Sequence, residues 1–342
     1  MTTRWPEILG ALVARQDLSQ EQAAWAMGEI VSGQATSAQI AGFAVALRTK
    51  GETVPEVTGL VDAMFEYATP ISIPGRVLDI VGTGGDRSMS VNISTMSAIV
   101  AAGAGAKVVK HGNRSASSKS GSSDVLSQLG IRLDLPVARV AEIADEVGIT
   151  FLFAAMFHPG LRHAGPTRSE LGVGTTFNFL GPLANPARPQ ANAIGTADPS
   201  MAPVMAGVLA DRGVDAWVCH GNDGLDELTT TTTSRVWAVS GGSVDSFTLD
   251  PLAYGIPRAT AADLRGGEPA ENAEVVHRLL AGEIGPVRDA VVLNAGAALA
   301  VYAAAPGSIE ERLDAGLAKA RESLDSGAAQ SVLQRWVEAS AR

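Results

Sequence analysis

Several features that define whole classes of proteins are scarce in this sequence. Among 342 residues there is one cysteine, Cys219, so no intramolecular disulfide can form, which fits a reducing compartment. Cys219 stands in the apolar string WVCHG, and this setting favours a small strand residue over a nucleophile. Aromatic residues are only 5% of the chain, so aliphatic side chains and alanine must build most of the core.

Positive charge and long apolar runs are scarce as well. The 26 Lys and Arg residues face 36 Asp and Glu residues, and the net charge of −10 disfavours a general role on nucleic acid or anionic membrane. A small phosphate ligand stays possible, because local amides, a few cations and a metal ion can hold it. No apolar stretch reaches membrane-spanning length, and MTTRWPEILG lacks the pattern of a signal peptide. We therefore expect a cytoplasmic protein.

The chain is long enough for one large or two modest domains, and its texture changes near residue 76. Before that point the pattern predicts short helices. Three candidate capping boxes open these helices: Ser19 with Gln22, Thr36 with Gln39, and Thr53 with Glu56.

From Arg76 onward, short apolar strings alternate with helical patterns. RVLDIVG reads as a buried strand, GTGGDRSMS as a glycine-rich loop, VNISTMSAIVAAGAG as a helix and KVVK as a second strand. This order predicts parallel pairing. GITFLFA, ANAIGTA and DAWVCHG resemble further core strands, SRVWAVSGGSVDSFTLDP resembles a hairpin, and the chain is mainly helical from about residue 270.

Three polar clusters follow predicted strands, where an α/β sheet usually binds its ligands. The first is GTGGD over 82–86 with SVNIST over 90–95, a glycine-rich loop leading into a helix, as suits an anion. A tight turn with a helix cap explains the same string equally well. The second cluster, KHGNRSASSKSGS over 110–122, supplies the cations, hydroxyls and amides that a pyrophosphate requires, or else forms a solvated basic loop.

The third cluster is HGNDGLDE over 220–227, followed by five threonines. Adjacent carboxylates after a strand suit magnesium, a hard cation that prefers oxygen ligands. A pair of surface acids at a turn is the alternative, and the residues alone leave both open.

Taken in order, the strings of this chain resemble the anthranilate phosphoribosyltransferases. DIVGTGGD, NIST, KHGNR with SSKSGS, FHP, RSELG, FNFLGPLANPA and HGNDGLDELT span roughly residues 79–230. The resemblance implies an α/β fold: a small all-helical N-terminal domain over 1–72, to which a segment near 165–185 returns, and a large α/β domain over 76–342. The large domain would have a mostly parallel central sheet flanked by helices, with the site in the cleft between the domains.

The resemblance also implies an activity, a cofactor and partners. The chain would transfer the phosphoribosyl group of phosphoribosyl pyrophosphate (PRPP) to the amine of anthranilate, the second step of tryptophan biosynthesis. It would use up to two Mg²⁺ ions and form a homodimer through its helical domain, with no nucleic-acid or membrane partner.

Residue roles follow from matching positions in the family's motifs. The PRPP site would comprise Gly82, Gly85, Asp86, Ser90, Asn92, Ile93, Ser94, Thr95, Lys110, His111, Gly112, Asn113, Arg114, Ser117, Ser118 and Ser122. The anthranilate site would comprise Gly82, His111, Asn113, His158 and Arg168. Magnesium would be bound by Ser94, Asp226 and Glu227, and the catalytic residues would be Lys110, Asn113 and Arg168.

Some positions depart from the family pattern. Ser90-Val91 stands where Thr-Phe is usual, Ala155 stands where proline is usual, and Leu161 stands where related sequences carry a larger residue. These departures bear on the shape of the acceptor pocket more than on the reaction class.

Two other functions remain open at this stage. A pyrimidine nucleoside phosphorylase shares the general architecture, but we would not expect HGNDGLDE in it. A paralogue that binds PRPP or nucleic acid without catalysis is the other, and the negative charge and the presence of Asn113, Arg168, Asp226 and Glu227 argue against it.

Overall fold

The computed structural model describes residues 3–114 and 119–342, so Ser117 and Ser118 of the expected PRPP site lie outside the described residues. The chain begins with four helices, α1 Trp5–Val13, α2 Gln20–Val31, α3 Ser37–Lys50 and α4 Val54–Glu66. The capping boxes at Ser19 and Thr36 are confirmed. At Thr53, the Glu56 carboxylate accepts from both the backbone N–H and the hydroxyl.

Strands and helices then alternate. The elements are β1 Leu78–Gly82, α5 Ile93–Gly103, β2 Val108–Gly112, α6 Ser122–Gln128, α7 Val137–Val147, β3 Ile149–Phe153, α8 Ala154–Phe157, α9 Gly165–Leu171, α10 Phe177–Leu183, β4 Ala191–Gly195, α11 Ala202–Asp211 and β5 Asp215–Gly221. The chain continues through β6 Ser234–Ser240, β7 Ser243–Leu249, α12 Pro269–Leu280, α13 Pro286–Ala303, α14 Ile309–Asp325 and α15 Ala328–Ala341. Short 3₁₀ helices cover Pro159–His163 and Pro251–Tyr254.

One seven-stranded sheet, in the order β3-β2-β1-β4-β5-β6-β7, organises the larger part of the chain. The first five strands pair in parallel, and the β6–β7 hairpin is antiparallel. The α/β class with a mostly parallel sheet flanked by helices is therefore confirmed. Because β1, β2, β4 and β5 run in one direction, the polar clusters after β1, β2 and β5 meet at one edge of the sheet.

Each face of the sheet carries its own hydrophobic core. Along β5, Ala216 and Val218 point to one face and Trp217 and Cys219 to the other, as the two-residue period of a strand requires. The first face packs with α1–α4, α10 and α11 in what we call the bundle-side core. The second face packs with α5 and the C-terminal helices α12–α15.

Helix α13 is the central element of the second core. It lies against α5, β4 and β5, and approaches α14 closely because Gly296 and Gly316 leave room for backbone contact. Within 3–114 and 119–342, no helix is both long and apolar enough to cross a membrane.

Candidate active site

Asp226 lies against the ends of two strands, with its carboxylate next to β1 and its backbone next to β4. A Cβ atom at Gly82 would be 2.3 Å from Asp226 Oδ2, and one at Gly195 would be 1.7 Å from the Asp226 carbonyl oxygen. Both positions therefore require glycine for close approach. The backbone N–H of Gly84 donates to Asp226 Oδ2 at 2.6 Å. The first and third polar clusters, distant in sequence, thus form one site.

Three carboxylates gather at this edge. Burial raises the pKa values of Asp226 and Glu227, and the negative charge of Asp86 raises that of Asp226 further. Asp86 Oδ2 is buried and has no hydrogen-bond partner among the described residues. The backbone N–H of Ser94, in the first turn of α5, lowers the pKa of Glu227 in part. Such a set of hard, partly uncompensated oxygens suits a divalent cation.

These residues do not form a complete metal cage by themselves. Across 3–114 and 119–342, no group of three or more His, Cys, Asp or Glu side chains is arranged to hold a metal ion. Magnesium usually keeps several waters and is bound through one or two carboxylates together with substrate phosphates. Asp226, Glu227 and the Ser94 hydroxyl therefore fit magnesium that arrives with a phosphorylated ligand.

Lys110 lies beneath the carboxylates rather than in a loop. The sequence predicts a strand KVVK that ends at Lys110, and Lys110 does lie on β2, but the strand continues two residues further to Gly112, with His111 buried as well. Lys110 Nζ donates to Ile80 O at 2.5 Å and to Ser94 Oγ at 3.2 Å. The pKa of Lys110 is lowered, because burial outweighs the opposing effect of the negative charges of Asp79, Glu227 and Asp226. Lys110 is thus the buried cation of the site.

Asp79, which the sequence reasoning missed, supports this cation from below. It is fully buried as the second residue of β1, where burial raises its pKa to about 6. Its Oδ1 accepts from His111 N at 3.1 Å and its Oδ2 from Asn185 Nδ2 at 2.8 Å. Asn185 also donates to Val109 O, so the GPLANPA motif ties α10 to β1 and β2. The sequence signal that could have identified Asp79 is a charged residue inside an otherwise apolar strand.

The other residues of the expected PRPP site lie around these groups. Gly85 and Asp86 follow β1, Ser90 pairs with Arg265, and Asn92, Ile93, Ser94 and Thr95 begin α5. The Ile93 side chain is in the core, and the Thr95 hydroxyl is buried without a partner among the described residues.

The chain after β2 turns back toward α6. Gly112 ends β2, Asn113 and Arg114 are exposed after it, and Ser122 is the first residue of α6. The backbone N–H of Ser123 donates to Asn113 O at 3.4 Å, which holds Asn113 next to this helix start.

Two buried histidines form the opposite side of β2. The rings of His111 and His158 meet edge to face at 5.3 Å. Burial, with His158 as a neighbour, lowers the pKa of His111 to about 3, and burial lowers the pKa of His158 as well. His111 Nδ1 therefore donates to Gly181 O, 3.1 Å away, and its Nε2 is left as an acceptor without a partner among the described residues.

Arg168 is a partly buried cation that has no counter-ion among the residues that the structure describes. It lies on α9, with its guanidinium 5.4 Å from the ring centroid of Phe177 on α10. Burial lowers its pKa, and among the described residues no carboxylate forms an ion pair with it. Desolvated guanidinium groups normally have an anionic partner, so Arg168 suits an acidic ligand.

Two further contacts shape the segment that carries the carboxylates. Asp223 Oδ2 accepts from the hydroxyls of Thr229 and Thr231, which gives a structural role to two of the five threonines in the run. Asn294 on α13 clamps Leu228: its Oδ1 accepts from Leu228 N and its Nδ2 donates to Leu228 O, both at 2.9 Å.

Comparison with known proteins agrees with this geometry. The family "Glycosyl transferase family, a/b domain" matches residues 74–330, and "Glycosyl transferase family, helical bundle domain" matches residues 6–68. The anthranilate phosphoribosyltransferase of a Nocardioides species is 74% identical over 338 residues, which are 99% of each chain. That of Streptomyces griseus is 59% identical, over 98% of this chain and 95% of the relative.

This chain belongs to the anthranilate phosphoribosyltransferase family.

Solved structures of the family share the whole fold. The enzyme of Thermus thermophilus superimposes with a TM-score of 0.91 at 42% identity, covering 98% of this chain and 99% of the other. The Saccharomyces cerevisiae enzyme, in complex with PRPP and Mg, gives a TM-score of 0.89 at 26% identity, with 98% of each chain covered.

Proposed function

We infer that this chain transfers the phosphoribosyl group of PRPP to the amine of anthranilate, giving N-(5-phosphoribosyl)anthranilate and pyrophosphate, the second step of tryptophan biosynthesis. The observation that carries this inference is a site with two parts. Buried carboxylates lie with Lys110 at the carboxyl edge of the sheet. Next to them, neutral His111 on β2 and the cation Arg168 on α9 both contact α10, through Gly181 and Phe177 respectively. The relatives from Nocardioides and Streptomyces griseus, which match nearly the whole chain, carry this name.

The donor half would hold PRPP through the glycine-rich loop, the start of α5 and the segment after β2. Asp226, Glu227 and Ser94 would hold Mg²⁺, up to two ions. A structure of the yeast relative in complex with PRPP and Mg supports the use of this metal. When bound, magnesium supplies positive charge that stabilises the departing pyrophosphate. Lys110 adds charge from below, because its Nζ is 3.2 Å from Ser94 Oγ in a buried site.

The acceptor half would hold anthranilate by its carboxylate and its ring. Arg168 offers a guanidinium that forms no ion pair with the described residues, and Asn113 and Gly82 would complete the contacts, with His111 and His158 contributing as well. A yeast relative is solved in complex with 4-fluoroanthranilate, at a TM-score of 0.87 and 25% identity.

The attacking amine of anthranilate needs little activation by the protein. An arylamine is already neutral near pH 7, so it attacks without prior removal of a proton, and positioning supplies much of the acceleration. The N–C bond forms at the ribose carbon as the C–O bond to pyrophosphate breaks, and the nitrogen then loses one proton to solvent. Charge grows on the leaving oxygens, which is where Lys110 and the loop amides would act.

We also propose the assembly and domain limits that the family suggests. The helical domain would span 1–72 with the returning segment 165–185, and the α/β domain would span 76–342. In support, α9 lies against α3 and α10 lies against α4. A homodimer through the helical domain and a cytoplasmic location complete the proposal.

Anthranilate fluorescence tests the reaction directly. We expect its loss on mixing protein, PRPP and magnesium, and no loss when any component is absent or when a chelator removes the metal. The double variant Asp226→Asn with Glu227→Gln should turn over at least about 100-fold more slowly while remaining folded. The matched pair Glu310→Gln with Asp314→Asn, two exposed acids on α14, should have no effect.

Two outcomes would contradict the proposal. Near-normal turnover of the double variant at saturating magnesium would remove the carboxylates from the metal site. No fluorescence loss by folded protein that still binds PRPP would mean that the donor half is right and the acceptor is wrong.

A further inference from the structure

The segment just before α12 forms a strap, residues 264–268, across the glycine-rich loop. Val91 N donates to Leu264 O at 2.9 Å, and Gly266 N donates to Met89 O at 2.8 Å. Met89 has a φ of 54°, a left-handed conformation that non-glycine residues seldom adopt. The strap therefore holds an unusual stretch of backbone at the end of the loop that precedes α5.

Asn272, in the first turn of α12, fixes the strap to this loop. Its side chain is 2% exposed. Its Oδ1 accepts from Gly267 N at 2.8 Å, and its Nδ2 donates to Asn92 Oδ1 at 2.8 Å. Because a backbone N–H can only donate, the contact with Gly267 determines which end of the Asn272 amide faces Asn92.

The orientation of the Asn272 side-chain amide in turn fixes the orientation of the Asn92 side-chain amide. Since Asn92 Oδ1 faces the Asn272 donor, its Nδ2 is turned toward Ser120 O, to which it donates at 3.0 Å. Ser120 belongs to the segment after β2 that leads into α6. The hydrogen bonds thus run from Gly267 through Asn272 and Asn92 to Ser120, and join the two loops expected to surround PRPP.

We propose that Asn272 is a positioning residue for the phosphoribosyl donor, acting through Asn92 to fix the two PRPP loops relative to each other. The proposal rests on the function inferred above. We expect the effect to fall mainly on the donor, because the two joined loops carry most of the expected PRPP residues. Arg168 and His158 of the acceptor half lie on α9 and at the end of α8 instead.

Substitution of Asn272 should change the kinetic constants for PRPP and leave those for anthranilate almost unchanged. For Asn272→Ala we expect the KM for PRPP and its calorimetric Kd to rise roughly ten- to hundredfold, as for a lost buried hydrogen bond. The KM for anthranilate and kcat at saturating PRPP should change by less than about threefold. A purely structural role would not move one KM and leave the other.

Asn192→Ala is the matched control. Asn192 is also a buried asparagine, 3% exposed, with its Nδ2 donating to Pro189 O at 3.1 Å, but it lies on β4 outside the proposed site. It should lower stability without changing either KM. If Asn272→Ala folds poorly, Asn272→Ser leaves a smaller gap and should show the same KM split.

A double-mutant cycle tests the route through Asn92. If Asn272 acts through Asn92, Asn92→Ala combined with Asn272→Ala should raise the PRPP Kd no more than Asn92→Ala alone. Additive effects, an equal rise in both KM values, or an unchanged PRPP Kd would overturn the proposal. Because the calorimetric Kd needs no acceptor, the test stands even if the wild-type protein fails to consume anthranilate, which would contradict the proposed function instead.

Discussion

A methyl group at Gly82 tests how the carboxylate of Asp226 is held. In Gly82→Ala the new Cβ would lie 2.3 Å from Asp226 Oδ2, whereas ordinary contacts begin near 3.4 Å, so the carboxylate must move by about 1.1 Å. A displacement of about 1 Å at a reacting centre can cost roughly 100-fold in rate, or about 2.7 kcal/mol. The hydrogen bond from Gly84 N to Asp226 would be lost as well, which should lower the free energy of unfolding by about 1–3 kcal/mol.

The assay is the initial rate of anthranilate fluorescence loss at saturating PRPP over a range of magnesium concentrations, with urea unfolding in parallel. We expect a lower kcat and a higher half-saturating magnesium concentration. Gly10→Ala is the control, because a Cβ at that position on α1 meets no atom within 4 Å. It should leave turnover unchanged and raise stability by up to about 1 kcal/mol, as alanine does in a helix.

Wild-type turnover and magnesium dependence in Gly82→Ala would refute this reasoning. A rise confined to the KM for anthranilate would indicate instead that Gly82 acts by direct contact with the acceptor.

Two further predictions concern the acceptor half. Arg168→Ala should raise the KM for anthranilate by roughly 30-fold or more and that for PRPP far less, since a charge-assisted contact is lost, and steady-state kinetics checks this against the exposed Arg162→Ala. Equal effects on both substrates would remove Arg168 from the acceptor site. Because the pKa of His111 is about 3 when folded and 6.5 as its ordinary value, only the unfolded chain gains this proton between pH 7 and 5. Stability should therefore fall by about 2 kcal/mol from this group as the pH drops to 5. Between pH 7 and 5, the free energy of unfolding of the His111→Asn variant should therefore fall by about 2 kcal/mol less than that of the wild type, as measured with urea. An identical fall in both proteins would contradict the prediction.

Much of the fold could be predicted because its signals are local. The apolar string of β1, the Gly-Gly turn of the hairpin and the capping boxes at Ser19 and Thr36 each depend on neighbouring residues, and all are present in the structure. The carboxyl ends of parallel strands then place the polar clusters at one edge without further information.

The contacts that could not be predicted join residues far apart in sequence. Asp79 reads as a polar interruption of a strand until Asn185, more than a hundred residues later, donates to it. The sequence pattern ends the second strand at Lys110 and gives no sign that this lysine is buried. Its burial is tolerable only because the surrounding carboxylates, from segments far away in the sequence, compensate its charge. Asn272 gives no local signal, since its partner Asn92 precedes it by 180 residues.

The bundle-side core has an evolutionary consequence. Leu60 and Met64 of α4 are buried in the same cluster as Leu183 of α10 and Met205 of α11. A change of side-chain volume in one region must therefore be matched in the other, although the two are separated by more than a hundred residues. A chimera that takes its helical bundle from a distant relative should need the α10 and α11 segments of that relative too, so the inheritable unit is larger than the bundle.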